Sequence, residues 1–129
     1  MPIRIVQLGS GRRSGEGLRI GTVRRPPRGV KKTDYARQNW YDVWLPNLSP
    51  SEALMRDRPL GDDDTSWRAF ERRFQAELKK PEAAHLLDLL AALSHAGNFS
   101  VGCYCNNEQR CHRSILRREL AKRGASIDR

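Results

Sequence analysis

No window of the sequence approaches the run of about 18 apolar residues that a membrane-spanning helix needs. The start, Met1-Pro2-Ile3-Arg4, lacks the apolar stretch of a secretory signal. The expectation is a soluble, cytoplasmic protein with no membrane partner. Cysteine is scarce: there are three, an odd number, all between positions 103 and 111. Such a set cannot build the disulfide framework of a small secreted domain, which leaves thiol chemistry, metal or packing as its use. Repeats and low-complexity tracts are absent. Acidic residues are in deficit, with 15 Asp and Glu against 24 Lys and Arg and a formal charge of +9. That balance favours a phosphate-bearing small molecule or a nucleic acid as partner, because phosphates neutralised by cations release their counterions. Nothing in the composition names a cofactor.

What is present suits one folded domain. A chain of 129 residues with 38% hydrophobic residues supports a single core, anchored by three Trp, three Tyr and three Phe. Ile3 to Leu8 alternates apolar and polar side chains as a half-buried strand does, and Leu18 to Val23 reads as a second strand. Gly9, Gly11, Gly15 and Gly17 make the segment between them a flexible polar turn. Arg24 to Lys32 crowds five cations around Pro26 and Pro27, which forbid regular pairing and stiffen a basic loop. The aromatic stretch from Tyr35 to Leu48 is expected to pack over the domain. Ser49 as cap with Pro50 at the first helical position predicts a short helix, closed by Pro59 and Gly61. Asp62 to Ser66 heads an amphipathic helix whose Trp67, Phe70, Phe74 and Leu78 fall at helical spacing, better read as core than as base-stacking rings. Pro81 opens a leucine-rich helix ended by Gly97-Asn98, Phe99 to Cys105 is a strand, and a last helix runs from Glu108 or Cys111 to Arg123 with Gly124 as its stop. A strand between two helices fits parallel βαβ units, so the predicted fold is a single compact α/β domain with a small, largely parallel sheet flanked by helices.

The chemistry concentrates where the last strand hands over to the last helix. Cys111-His112-Arg113 stands at a helix start, where unpaired amides and the helix dipole favour an anion. With Arg110, Arg113 and His112 nearby, the same field favours the Cys111 thiolate. In an enzyme, Cys111 is the nucleophile or His112 the acid/base, with Arg24, Arg28 or Arg113 stabilising negative charge. In a binding module the same cations, Arg24, Arg28, Lys31, Lys32 and Arg110, hold a phosphate-bearing ligand without turnover. The two readings part on whether Arg28 and Cys111 converge in one concave pocket. Cys111 with Arg117 also matches the spacing of a cysteine phosphatase, but the residues between them include no Gly and look helical, unlike a loop that curls around phosphate. Cys103, Cys105, Cys111 and His112 offer four ligands suited to zinc. The paired two-residue ligand spacing is absent, so no metal ligand is assigned and Cys103 reads as a small core residue. His85 and His95 are expected to be exposed or capping.

Several of these pieces together resemble one family over nearly the whole length. They are Pro27-Arg28-Gly29-Val30-Lys31-Lys32, the segment Trp44 to Ser51, the helix carrying Trp67, Phe70, Phe74 and Glu77-Leu78, and Cys103 followed by Cys111-His112-Arg113 and Leu116. On them the chain resembles the bacterial domain of unknown function 488 family. The resemblance implies a compact α/β domain and no assigned activity. Arg25-Pro26 stands where the family usually has Leu-Trp, and Cys105 where other members often carry an acid.

Overall fold

The strands form because short β-branched or apolar runs are cut by glycine and proline. In the computed structural model, which describes residues 2–59 and 63–128, β1 spans Ile3–Gln7, β2 Leu18–Gly21, β3 Val43–Trp44 and β4 Phe99–Cys103. All pairings are parallel and the order is β1-β4-β2-β3, so β4 lies between β1 and β2. Every residue of β4 is buried, as an unbroken apolar or small run in an inner parallel strand must be. The outer edge of β1 is covered by the C-terminal segment, through Ile3 N–H to the Ser126 carbonyl and Asp128 N–H to the Ile3 carbonyl. The predicted α/β class, parallel sheet and single compact domain are what the structure has.

Helices α1 (Glu52–Arg56), α2 (Asp64–Leu78), α3 (Pro81–Leu93) and α4 (His112–Lys122) supply the rest, with 3-10 turns at Lys32–Asp34, Pro46–Leu48 and Glu108–Arg110. Phe70, Phe74, Leu78, Leu87, Ile115 and Leu120 close a core with Ile3, Ile20, Phe99 and Val101 of the sheet. Trp67, Phe70 and Phe74 are core residues as their spacing predicts.

The cap of α1 differs from the expectation. Ser51, not Ser49, is the N-cap: its hydroxyl accepts from Leu54 N–H and donates to Glu77 of α2. Pro50 therefore sits before the cap, where its fixed φ costs nothing. Gly61, offered as a stop, lies outside the described residues, and α1 has ended by Asp57.

The glycine-bearing turn after β1 is also more than a flexible link. Arg4, Ser100 and Arg19 are register neighbours on β1, β4 and β2, and strand alternation puts them on the face opposite Val101 and Ile20. Glu16 lies over them. Its carboxylate accepts from Arg4 at 2.7 Å, from Arg19 Nε at 3.0 Å and from Ser100 at 3.0 Å. Arg19 is fully buried and also donates to the carbonyls of Ser10 and Asn39, so this turn is tied down from inside.

Candidate functional site at the carboxyl ends of the strands

In a parallel sheet the carboxyl ends of the strands face the loops that can be varied without harm to the core, and ligands collect there. Here β4 ends in Gly102-Cys103, and Thr22, just after β2, donates both its amide and its hydroxyl to the Gly102 carbonyl. A cavity of about 430 Å³ opens at this point. Trp67, Phe70 and Met55 form apolar walls. Cys103, Cys105, Cys111 and His112 line it, and so do Arg24, Arg25, Arg56, Arg58 and Arg110.

The handover from β4 to α4 sets the sulfur geometry. Cys111 is the N-cap of α4, in extended conformation and without a side-chain cap bond. It buries its side chain beside that of Cys103, and the two sulfurs touch across Cα atoms 8.0 Å apart. Cys105 is a free, half-buried thiol. His112 is buried, and its Nε2 donates to the Thr22 carbonyl at 2.6 Å while Nδ1 faces Cys111 Sγ at 3.9 Å. The ring meets Phe74 edge-on at 5.8 Å. Burial pushes the imidazole pKa down to about 4, against the opposite pull of the Thr22 bond and with help from the Arg113 and Arg58 charges. His112 is thus neutral at pH 7, with Nδ1 an acceptor and the ring no cation.

The arginines divide by what already holds them. Arg24 donates to the carbonyls of Ser49 and Pro50, fixing the approach to α1. Arg25 pairs with Glu52 at 2.8 Å. Arg110 pairs with Asp64 and lies over the Trp67 ring, 5.9 Å from its centroid. Arg56 and Arg58 form no ion pair with a described residue.

Of the sequence-predicted residues, Cys111, His112, Arg24 and Arg110 therefore meet in one cavity. Arg113 does not line it: its guanidinium is buried, donating to the Cys105 carbonyl. Arg28 lines a neighbouring hollow with Trp40, Pro26 and Pro27, joined to the first through Arg25 and Tyr104, which line both. Lys32 lines a third hollow beside Tyr35 and Trp44, and Lys31 is exposed and lines none of the three. Arg28 and Cys111 thus occupy adjoining hollows, not one. Arg117, six residues after Cys111, pairs with Glu108 at 2.6 Å, and the residues between are helical, so no phosphate-cradling loop forms there. His85 is exposed, and His95 bonds the Gly124 carbonyl beyond α4 at 2.8 Å.

Arg25, Arg56 and Arg58 were not singled out from the sequence. Arg56 and Arg58 reach the cavity only because α1 lies against α2, a tertiary fact with no local signal.

The family model DUF488-N3a, described as "Active DUF488-N3 subclade", matches residues 3–124. The chain belongs to the DUF488 family. No curated protein and no solved structure matches it. The DUF488 match spans both the arginine-bearing loop after β2 and the cysteines at the β4–α4 handover, so the cavity lies within the matched region.

Proposed function

We propose that this DUF488 protein binds a phosphate-bearing ligand in the cavity at the carboxyl ends of β2 and β4, with the adjoining Arg28 hollow taking the rest of a nucleotide or nucleic acid. The observation that carries the reading is the convergence of Arg24, Arg25, Arg56, Arg58 and Arg110 on one cavity. Arg56 and Arg58, without carboxylate partners among the described residues, keep their guanidinium donors for an oxyanion, to which they bond bidentately. The uncapped start of α4 adds amide donors and a favourable dipole. Trp40 and Tyr104 in the second hollow suit a base. A reduced, cytoplasmic setting accords with thiols placed at the site.

A second reading, a cysteine-dependent hydrolase or transferase, is favoured by the word "active" in the family description and by thiols lining the same cavity. Cys111 is its nucleophile, on the anion that the arginines hold.

Fluorescence-anisotropy titration with a labelled nucleotide at two salt concentrations tests the binding. Arg58→Ala is expected to weaken affinity by about tenfold or more, since it removes a bidentate, charge-assisted contact. Arg28→Ala should weaken it less, and Arg72→Ala, on the exposed face of α2, by less than about twofold. Equal losses in all three would mean that net charge alone acts. No binding at low salt would end the reading.

A further inference from the structure

The site offers a ligand set that sequence spacing does not display. Sγ of Cys103, Sγ of Cys111 and one ring nitrogen of His112 lie within 4.8 Å of one another, and all three residues are buried. They come from the end of β4 and the start of α4, so the fold supplies a convergence that a short linear motif would otherwise provide.

We propose that Cys103, Cys111 and His112 bind a thiophilic divalent cation of the zinc class, with its remaining coordination position facing the arginine-lined cavity. Three features carry this. First, the ring is oriented as a ligand: a carbonyl only accepts, so Nε2 bears the proton given to Thr22, and Nδ1 turns its lone pair toward the sulfurs. A metal-binding histidine characteristically anchors its other nitrogen on a backbone carbonyl in this way. Second, the backbone spacing is too wide for a relaxed disulfide and leaves room for an ion between the two thiolates. The Cα atoms of Cys103 and Cys111 are 8.0 Å apart, beyond the roughly 4.4–6.8 Å of relaxed disulfides. Two thiolates each about 2.3 Å from one zinc ion stand further apart than two bonded sulfurs, and so want a wider frame. Third, the donor set matches the ion. Two thiolates with one imidazole are soft to borderline donors that select zinc over magnesium or calcium, and three protein ligands leave a tetrahedral ion one open position. On binding, each thiol gives up its proton to solvent, and the two thiolates neutralise the ion. The surrounding arginines then face no excess positive charge.

The proposal stands independently of ligand binding, and its test uses no anion. Fully reduced protein, freed of metal by chelator, is titrated with Co²⁺ and read by visible absorption. One equivalent is expected, with the thiolate-to-cobalt charge-transfer band and the strong visible bands of tetrahedral coordination, and one equivalent of Zn²⁺ should bleach them. Cys105→Ser should leave stoichiometry and spectrum unchanged, because Cys105 is not in the set, whereas Cys103→Ser should abolish the charge-transfer band or halve it. Alkylation of the wild type, mapped by mass spectrometry, provides a reading that needs no folded variant. Zn²⁺ should slow labelling of Cys103 and Cys111 by about tenfold or more without protecting Cys105, and chelator should restore it. The proposal is overturned if Co²⁺ produces no saturable spectrum, if Cys105→Ser removes the band, or if Zn²⁺ leaves the labelling of Cys103 and Cys111 unchanged.

Discussion

At the scale of single residues, the fold depends on Glu16, a carboxylate that lies outside the candidate site. Burial alone would raise the Glu16 carboxyl. The hydrogen bonds from the Arg19 side chain and the Arg13 amide, with the Arg19 charge, outweigh burial and hold it below its ordinary 4.5. Replacing Glu16 by Gln keeps the shape but leaves the fully buried Arg19 guanidinium uncompensated. Urea denaturation at pH 7 should show a loss of about 3–5 kcal/mol, the usual cost of breaking one partner out of a buried pair. The pH dependence has a fixed sign. A carboxyl with a depressed folded-state pKa adds stability that is complete above its unfolded value and is lost as pH falls toward the folded one. The gap between wild type and Glu16→Gln should therefore be constant from pH 7 to about pH 5, and shrink below the ordinary carboxyl value. A gap that widened on acidification would contradict this account. Glu16 was invisible in the sequence, since one acid among glycines reads as solvated turn. Cys111 and His112 were legible because a helix start is a local signal.

At the scale of elements, β4 is the piece on which the site is mounted. Its Gly102 is a packing requirement: a Cβ there would come within 2.6 Å of the Val6 carbonyl oxygen and 2.9 Å of Leu8 Cδ2. Neither the backbone of β1 nor a packed Leu can yield without shifting the strand that ends in Cys103. Gly102→Ala should cost about 1–3 kcal/mol in chemical denaturation, and the alkylation rates of Cys103 and Cys111 should rise with it. Unchanged stability would mean that β1 gives way more easily than a buried parallel strand should. The elements with strong periodicity or caps, α2, α3, β1, β2 and β4, were readable. Strand β3 was not, because its two exposed residues, Val43 and Trp44, are too few to show alternation. The cap of α1 was misplaced by two residues because Ser49 and Ser51 look alike until Glu77 is brought alongside Ser51.

At the scale of the whole molecule, the fold gathers three segments that are distant in the chain: the loop after β2, the short α1 and the β4–α4 handover. Parallel topology puts the ends of β2 and β4 side by side, and the link from β3 to β4 is long enough to carry α1 and α2 across that end. The sequence indicated the cationic character and two of the three segments, the loop after β2 and the β4–α4 handover. It could not show which cations converge: Arg28, Lys31 and Lys32 stand out for their density, while nothing local marks Arg56 and Arg58. Density along the chain is a poor guide to convergence in space, because a proline-stiffened loop can hold its cations apart.

The central claim, a phosphate-bearing ligand in the cavity, is tested most directly by following backbone amide resonances of the intact protein during titration with a nucleoside diphosphate, at low and at physiological salt. The account predicts saturable shifts confined to residues around Arg56 and Arg58, Gly102 to Cys105 and Arg110 to Arg113. A smaller set should appear at Trp40 and Arg28, with affinity falling as salt rises. Shifts scattered over the exposed basic residues of α2 and α4, or no shifts at all at low salt, would contradict it.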